Sequence, residues 1–185
     1  MISIGLFLLY DFGLVLGAIY LTGSEDSYFT YYLDSFLLRH SSGNFLTVFS
    51  YAFLAALGMN LLLLLCSLSC FGAPFILLLP LLRGLNGGMI IASLYLQSGG
   101  KGILFTLLVL WLPMVLLSLE LLLFSSSALK NSGRMLGYAI KRKNGALLLD
   151  SSGMMQDFVL YASIGLAAAL LEGLFAMLFG PVFSL

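Results

Sequence analysis

The chain has 185 residues, 61% of them hydrophobic and 9% charged, and its eight basic side chains balance eight acidic ones. Soluble domains run near ~45–50% apolar and ~25% charged, so this chain is read as a membrane protein whose solvent is largely lipid. The same figures exclude a disordered chain, and the absence of a strong basic excess argues against nucleic-acid binding.

A membrane-crossing helix needs about 20 mostly apolar residues at about 1.5 Å each. Five stretches satisfy this, at approximately residues 2–22, 51–71, 75–97, 102–124 and 158–180, and they predict an all-α polytopic bundle forming one domain over 1–185. No basic residue precedes the first stretch and no small-residue cleavage site follows it, so it is expected to be a retained span. It carries Asp11, and Gly13 and Gly17 at fourfold spacing.

Between the first two spans, residues 23–44 hold "YFTYYLDSFLLRH". Phe29, Tyr32, Leu33, Phe36 and Leu37 fall on one stripe of a helix there, with tyrosines suited to the headgroup zone. The stripe reads either as a docking surface for a protein partner or as a simple interfacial anchor. His40 is the only histidine and is expected to be solvated.

Cys66 and Cys70 lie four apart in the second span and read as small packing residues, since nothing around them forms a disulfide framework or a metal set. Gly72-Ala73-Pro74 then predicts a tight hairpin into the third span. That span contains Pro80, Arg83, Gly84 and Gly88, and its "RGLNGG" is poor helix material; with Pro113 in the fourth span, kinks are expected. Residues 125–157 form a loop with Lys130, Arg134, Lys141, Arg142 and Lys143. The positive-inside rule makes that loop cytoplasmic, which puts the N-terminus inside and both 23–44 and the C-terminus outside. Its "ALKNSGRMLGYAIKRKNG" mixes apolar and basic residues in a way that suits contact with anionic membrane lipids. The fifth span carries Glu172, and Gly165, Ala169 and Gly173 at fourfold spacing. Such small-residue rows serve contacts within one chain or in a homo-oligomer equally well.

Asp11, Arg83, Glu120 and Glu172 are the ionisable residues inside these spans, where a charge facing lipid costs about 2.5–3.5 kcal/mol. They are expected to form an intramembrane polar network. Counted from the predicted inner ends, Asp11 and Arg83 lie about 12–14 Å deep and can meet. Glu120 comes out at roughly 6 Å, within reach of the long arginine, and Glu172 at roughly 21 Å, without an evident partner. No catalytic triad, phosphate-binding loop or cofactor motif is recognisable, so the chain is read as non-enzymatic and without a cofactor.

The acid in "SLELLLFSSSALKNSGRMLG", a second acid in "LAAALLEGLFAMLFGPVF", and "GAPFILLLPLLRGLNGG" before them occur in an order that resembles the stage II sporulation protein M family of multipass bacterial membrane proteins. The resemblance runs from about Gly13 to Val182, and Glu120 and Glu172 match the family's acidic positions. It implies a scaffold in the bacterial cell membrane that holds peptidoglycan-degrading partners, the stage II sporulation proteins D and P, at the septum during engulfment. The rival reading from the buried charges is a small-solute or ion permease built around Arg83 and the acids.

Overall fold

The computed structural model describes residues 2–23, 27–69, 71–141 and 151–180. All regular elements there are helical: α1 (Ile2–Gly23), α2 (Ser27–Ser41), α3 (Phe45–Ser67), α4 (Gly72–Ser98), α5 (Gly100–Phe105), a π-helical turn (Thr106–Leu110), α6 (Trp111–Lys141) and α7 (Ser151–Phe179). Five helical stretches are long and apolar enough to cross a membrane: Ser3–Thr22, Phe45–Ser67, Gly72–Ser98, Gly100–Gly137 and Gly153–Phe179. The expected all-α bundle of five spans is therefore the fold.

Two boundaries differ instructively from expectation. The second span begins at Phe45 rather than near 51, because Asn44 caps it, its side chain accepting the Leu46 N–H at 3.2 Å. The turn into α4 falls before Gly72, and Gly72-Ala73-Pro74 form the first turn of the helix instead of the hairpin loop. Proline is tolerated there because the early N–H groups of a helix have no intrahelical partner.

Helix α1 packs chiefly against α4. Gly13 and Gly17 face the backbone of Leu81 and Leu85, while Gly84 and Gly88 face that of Tyr10 and Leu14. A Cβ at any of the four would overlap the opposing backbone, so the two rows of small residues read from sequence are the two sides of one seam. "RGLNGG" is helical throughout, and its glycines serve this contact rather than a break.

The break in regularity lies elsewhere. Trp111 donates its backbone N–H to the Thr106 carbonyl, a π-type bond two residues before Pro113. Proline has no N–H and its ring crowds the carbonyl four residues back, here that of Val109, so the widened turn accommodates both defects. From Gly100 to Lys141 the chain is otherwise one rod of roughly 60 Å, twice the ~30 Å of a hydrocarbon core. The first half of the expected loop at 125–157 is consequently helix; Arg142 and Lys143 lie outside the described residues.

Serines tie the bundle together at one end. Ser132 donates to the Ser69 carbonyl at 2.9 Å, Ser127 donates to Asp157 at 2.5 Å, and the hydroxyls of Ser3 and Ser126 are 3.5 Å apart. This end holds the α3–α4 turn and the start of α1, and we call it the Ser69 end. The opposite, His40 end holds α2, the α2–α3 turn and the C-terminus of α7, where Gly180 lies against the His40 carbonyl. Two apolar cores result. Leu63, Ile76, Leu121 and Phe124 form one, and Phe36, Leu37, Val48, Ile90, Leu94, Phe105 and Val109 the other.

Candidate functional site

The buried polar groups are distributed over α2, α3, α4, α6 and α7. Asn60 and Glu120 are both buried, and Asn60 Nδ2 donates to Glu120 Oε1 at 2.5 Å. Gly165 of α7 makes room for this carboxylate, since a Cβ there would stand 3.0 Å from Oε1 and 3.1 Å from Oε2. Arg83, Asn60 and Glu120 line one small cavity.

Glu120 lies deeper than its sequence position indicates. The expected depth of roughly 6 Å assumed that the span ends with the apolar run at Phe124. Ser125 and Ser126 are instead buried, and Ser132 reaches the level of the α3–α4 turn. The interval from Glu120 to Ser132 is about 18 Å of helix, which places the acid near mid-bundle, at a level comparable to Arg83, about 16 Å along α4 from Gly72.

At the other end His40 is buried, with Nε2 at 2.9 Å from Glu172 Oε1 and Nδ1 at 2.9 Å from the Phe36 carbonyl oxygen. This corrects two expectations: the histidine is not solvated, and Glu172 has a partner. The carbonyl oxygen only accepts, so Nδ1 carries a proton. The Nε2···Oε1 contact then holds one further proton, and the pair is neutral overall wherever that proton resides.

Helix α2 contributes more than His40. Phe36 and Leu37 are buried in the apolar core, so this part of the amphipathic stripe points into the bundle and is not available as a partner surface. The side chains of Phe29, Tyr32 and Leu33 lie outside the described residues. Arg39 donates through Nε to the Ser35 carbonyl at 2.9 Å and holds its guanidinium carbon 3.7 Å from the Tyr51 ring centre. Gln97 donates to Asp34 at 3.4 Å, joining the end of α4 to α2.

Beneath α2 lies a chamber of about 230 Å³, lined among others by Phe36, Tyr51, Arg83, Asn86, Met114 and Glu172. Arg83, Met59 and Leu117 line both this chamber and the smaller cavity at Glu120, so the arginine stands between the two acids. Three of the four residues of the expected network are thus gathered around two neighbouring cavities. Asp11 is not. It lines neither cavity and forms no ion pair with Arg83 within 4.0 Å. Helical phase explains this: Asp11 is turned about 160° from Gly13, Arg83 about 100° from Gly84, and those glycines define the α1–α4 seam.

Sequence reasoning missed Asn60, Asn86 and His40. Asn60 and Asn86 are polar residues inside apolar spans, a signal that was present; His40 gave none, because it sits in a segment whose polarity suits a surface. Among the described residues, no group of three His, Cys, Asp or Glu side chains is placed to hold a metal ion. Cys66 is a free thiol, and Cys70 lies outside the described residues.

Five apolar spans enclosing buried, mutually hydrogen-bonded polar groups define the chain as a multi-pass helical membrane protein. In comparisons with known proteins it matches no family model, no curated protein and no solved structure.

Proposed function

We propose that the chain is a non-enzymatic membrane scaffold of the sporulation-engulfment kind, holding peptidoglycan-degrading partners such as the stage II sporulation proteins D and P at the septal membrane. The observation that carries the scaffold reading is the direct pairing of buried polar groups across helices, Asn60 with Glu120 and His40 with Glu172. Together with the glycine seam between α1 and α4, such pairing favours one fixed arrangement over an alternating one. The engulfment assignment rests on the resemblance carried by the order of the two glutamate helices and the Gly72–Gly88 segment.

In this reading the Ser69 end, with Lys130, Arg134 and Lys141, faces the cytoplasm, and α2 faces outward in the bacterial cell membrane. Partners then meet the exposed part of the His40 end. Cross-linking in native membranes followed by mass spectrometry is expected to recover wall hydrolases or sporulation proteins. Recovery of neither overturns the engulfment assignment.

A second reading, a small-solute or ion permease, is favoured by the chamber at Arg83 and Glu172. It predicts solute-dependent flux in liposomes that Glu172→Gln abolishes while the fold is retained. Flux with those properties replaces the scaffold reading.

A further inference from the structure

The chamber under α2 is more specific than an irregularity of packing. Its only described cation is Arg83, whose guanidinium has five N–H donors and accepts nothing. Neither Arg83 nor Asn86 makes a side-chain hydrogen bond or ion pair to another described residue, and both face the chamber. The two lie three apart on α4, hence on one face of the helix. Gly87 beside them leaves their side of the chamber open, with Met114 Cε 3.4 Å from where a Cβ would stand.

The opposite wall does not cancel this donor pair. Glu172 is already engaged by His40 at 2.9 Å, and the proton count above makes that pair neutral. Glu120 shares the smaller cavity with Arg83 and attracts its charge across that space, but it is hydrogen-bonded to Asn60 and makes no contact with the guanidinium within 4.0 Å, so the N–H donors of Arg83 stay unused among the described residues. Apart from Tyr51 the rest of the lining is apolar, including Met59, Ile90, Leu110 and Leu117.

We propose that this chamber binds a small organic carboxylate, its head group received by Arg83 and Asn86 and its apolar body lying against Met59, Met114 and Leu117. A guanidinium receives a carboxylate through two parallel hydrogen bonds, and an amide N–H adds a third donor. One cation suits a monoanion; a phosphate dianion needs more positive charge than the lining supplies. Inorganic anions leave the apolar wall uncovered. The volume of about 230 Å³ lies below the ~300–1,000 Å³ of drug-sized sites, which sets the scale of the guest. The proposal does not depend on the scaffold reading, since it concerns what the chamber holds and not what the chain recruits.

The test uses the full chain in nanodiscs, with butyrate and benzoate as probes and butyramide and benzamide as their uncharged counterparts. Calorimetry or saturation-transfer NMR is expected to show the carboxylates binding and the amides binding at least about tenfold more weakly. Arg83→Gln is expected to remove that preference, whereas Ala55→Leu, which adds bulk at the α3 side of the chamber, is expected to weaken carboxylate and amide alike. Arg83→Lys keeps the charge, and partial retention of the preference keeps the test informative where the glutamine variant fails to fold. Oleate separates a lipid acid from a free solute: failure of oleate to compete with butyrate is expected of a site of about 230 Å³. The proposal is overturned when carboxylates and amides bind alike, when neither binds, or when oleate alone binds.

Discussion

His40 and Glu172 are 132 residues apart in the chain and 2.9 Å apart in space, and through them helix α2 is fastened to the last span. Taking away one member leaves the other buried without a partner, which costs about 3–5 kcal/mol in comparable buried pairs. His40→Ala is therefore expected to lower stability by about 3 kcal/mol. The double variant His40→Leu with Glu172→Leu is expected to lose clearly less than the sum of the two single changes, because no orphaned charge remains. Thermal unfolding in detergent of the four proteins measures the coupling; additive losses remove the pair as a fastening.

The seam between α1 and α4 gives a steric prediction. Gly84→Val drives methyl groups into the Tyr10 carbonyl and the Leu14 N–H, where there is backbone and nothing flexible to yield. A loss of about 3 kcal/mol or more is expected, at the upper end of overpacking costs. Gly58→Val is the control, since a Cβ at Gly58 meets nothing within 4 Å. Equal melting temperatures for the two variants contradict the seam.

Asn60→Leu removes a donor from a buried carboxylate and is expected to cost about 1–3 kcal/mol. Glu120→Gln retains an oxygen that accepts from Asn60 and should cost less. Gly165→Ala crowds the same carboxylate and should destabilise the wild-type chain more than it destabilises a Glu120→Ala background. Unfolding curves for these variants check the order; an Asn60→Leu protein as stable as the parent shows that the bond contributes nothing.

Ser125 is fully buried, and its hydroxyl has no hydrogen-bond partner among the described residues. Ser125→Ala removes an unsatisfied group while preserving the helix, so stability is expected to rise by up to about 1 kcal/mol. A marked loss in the same unfolding assay reveals a partner for the hydroxyl.

The proposed orientation is checked by cysteine accessibility. In a chain with both native cysteines replaced, Ser42→Cys should react with an impermeant reagent from outside and Gly133→Cys only from within; both positions are exposed. Neighbouring Ser132 is buried and unsuited to the purpose. The opposite labelling pattern inverts the topology.

Much of the architecture was legible because hydropathy over about 20 residues reports a span however its neighbours pack. The glycine rows in α1 and α4 were legible too, although only the fold reveals that they face each other. Depth was less so. An apolar run that stops at Phe124 resembles the end of a span, but Ser126, Ser127 and Ser132 place their hydroxyls against Ser3, Asp157 and Ser69, and the buried helix goes on. His40 shows the same limit from the other side: a polar residue in a polar segment gives no sign that the segment folds back onto an acid in the fifth span.

The π-helical turn at 106–110 also acts as a phase setter. Each residue added to a helix rotates everything after it by about 100°, and this turn lets Phe105 and Val109 face one core while Glu120 still meets Asn60. Losing one residue from 106–110 would let the helix close as regular α with Glu120 still on the side of Asn60, but it would bring back the crowding and the missing N–H of Pro113 that the wide turn relieves. This inconspicuous apolar turn therefore takes up the one residue that a regular helix would pass on as a rotation of every side chain after it.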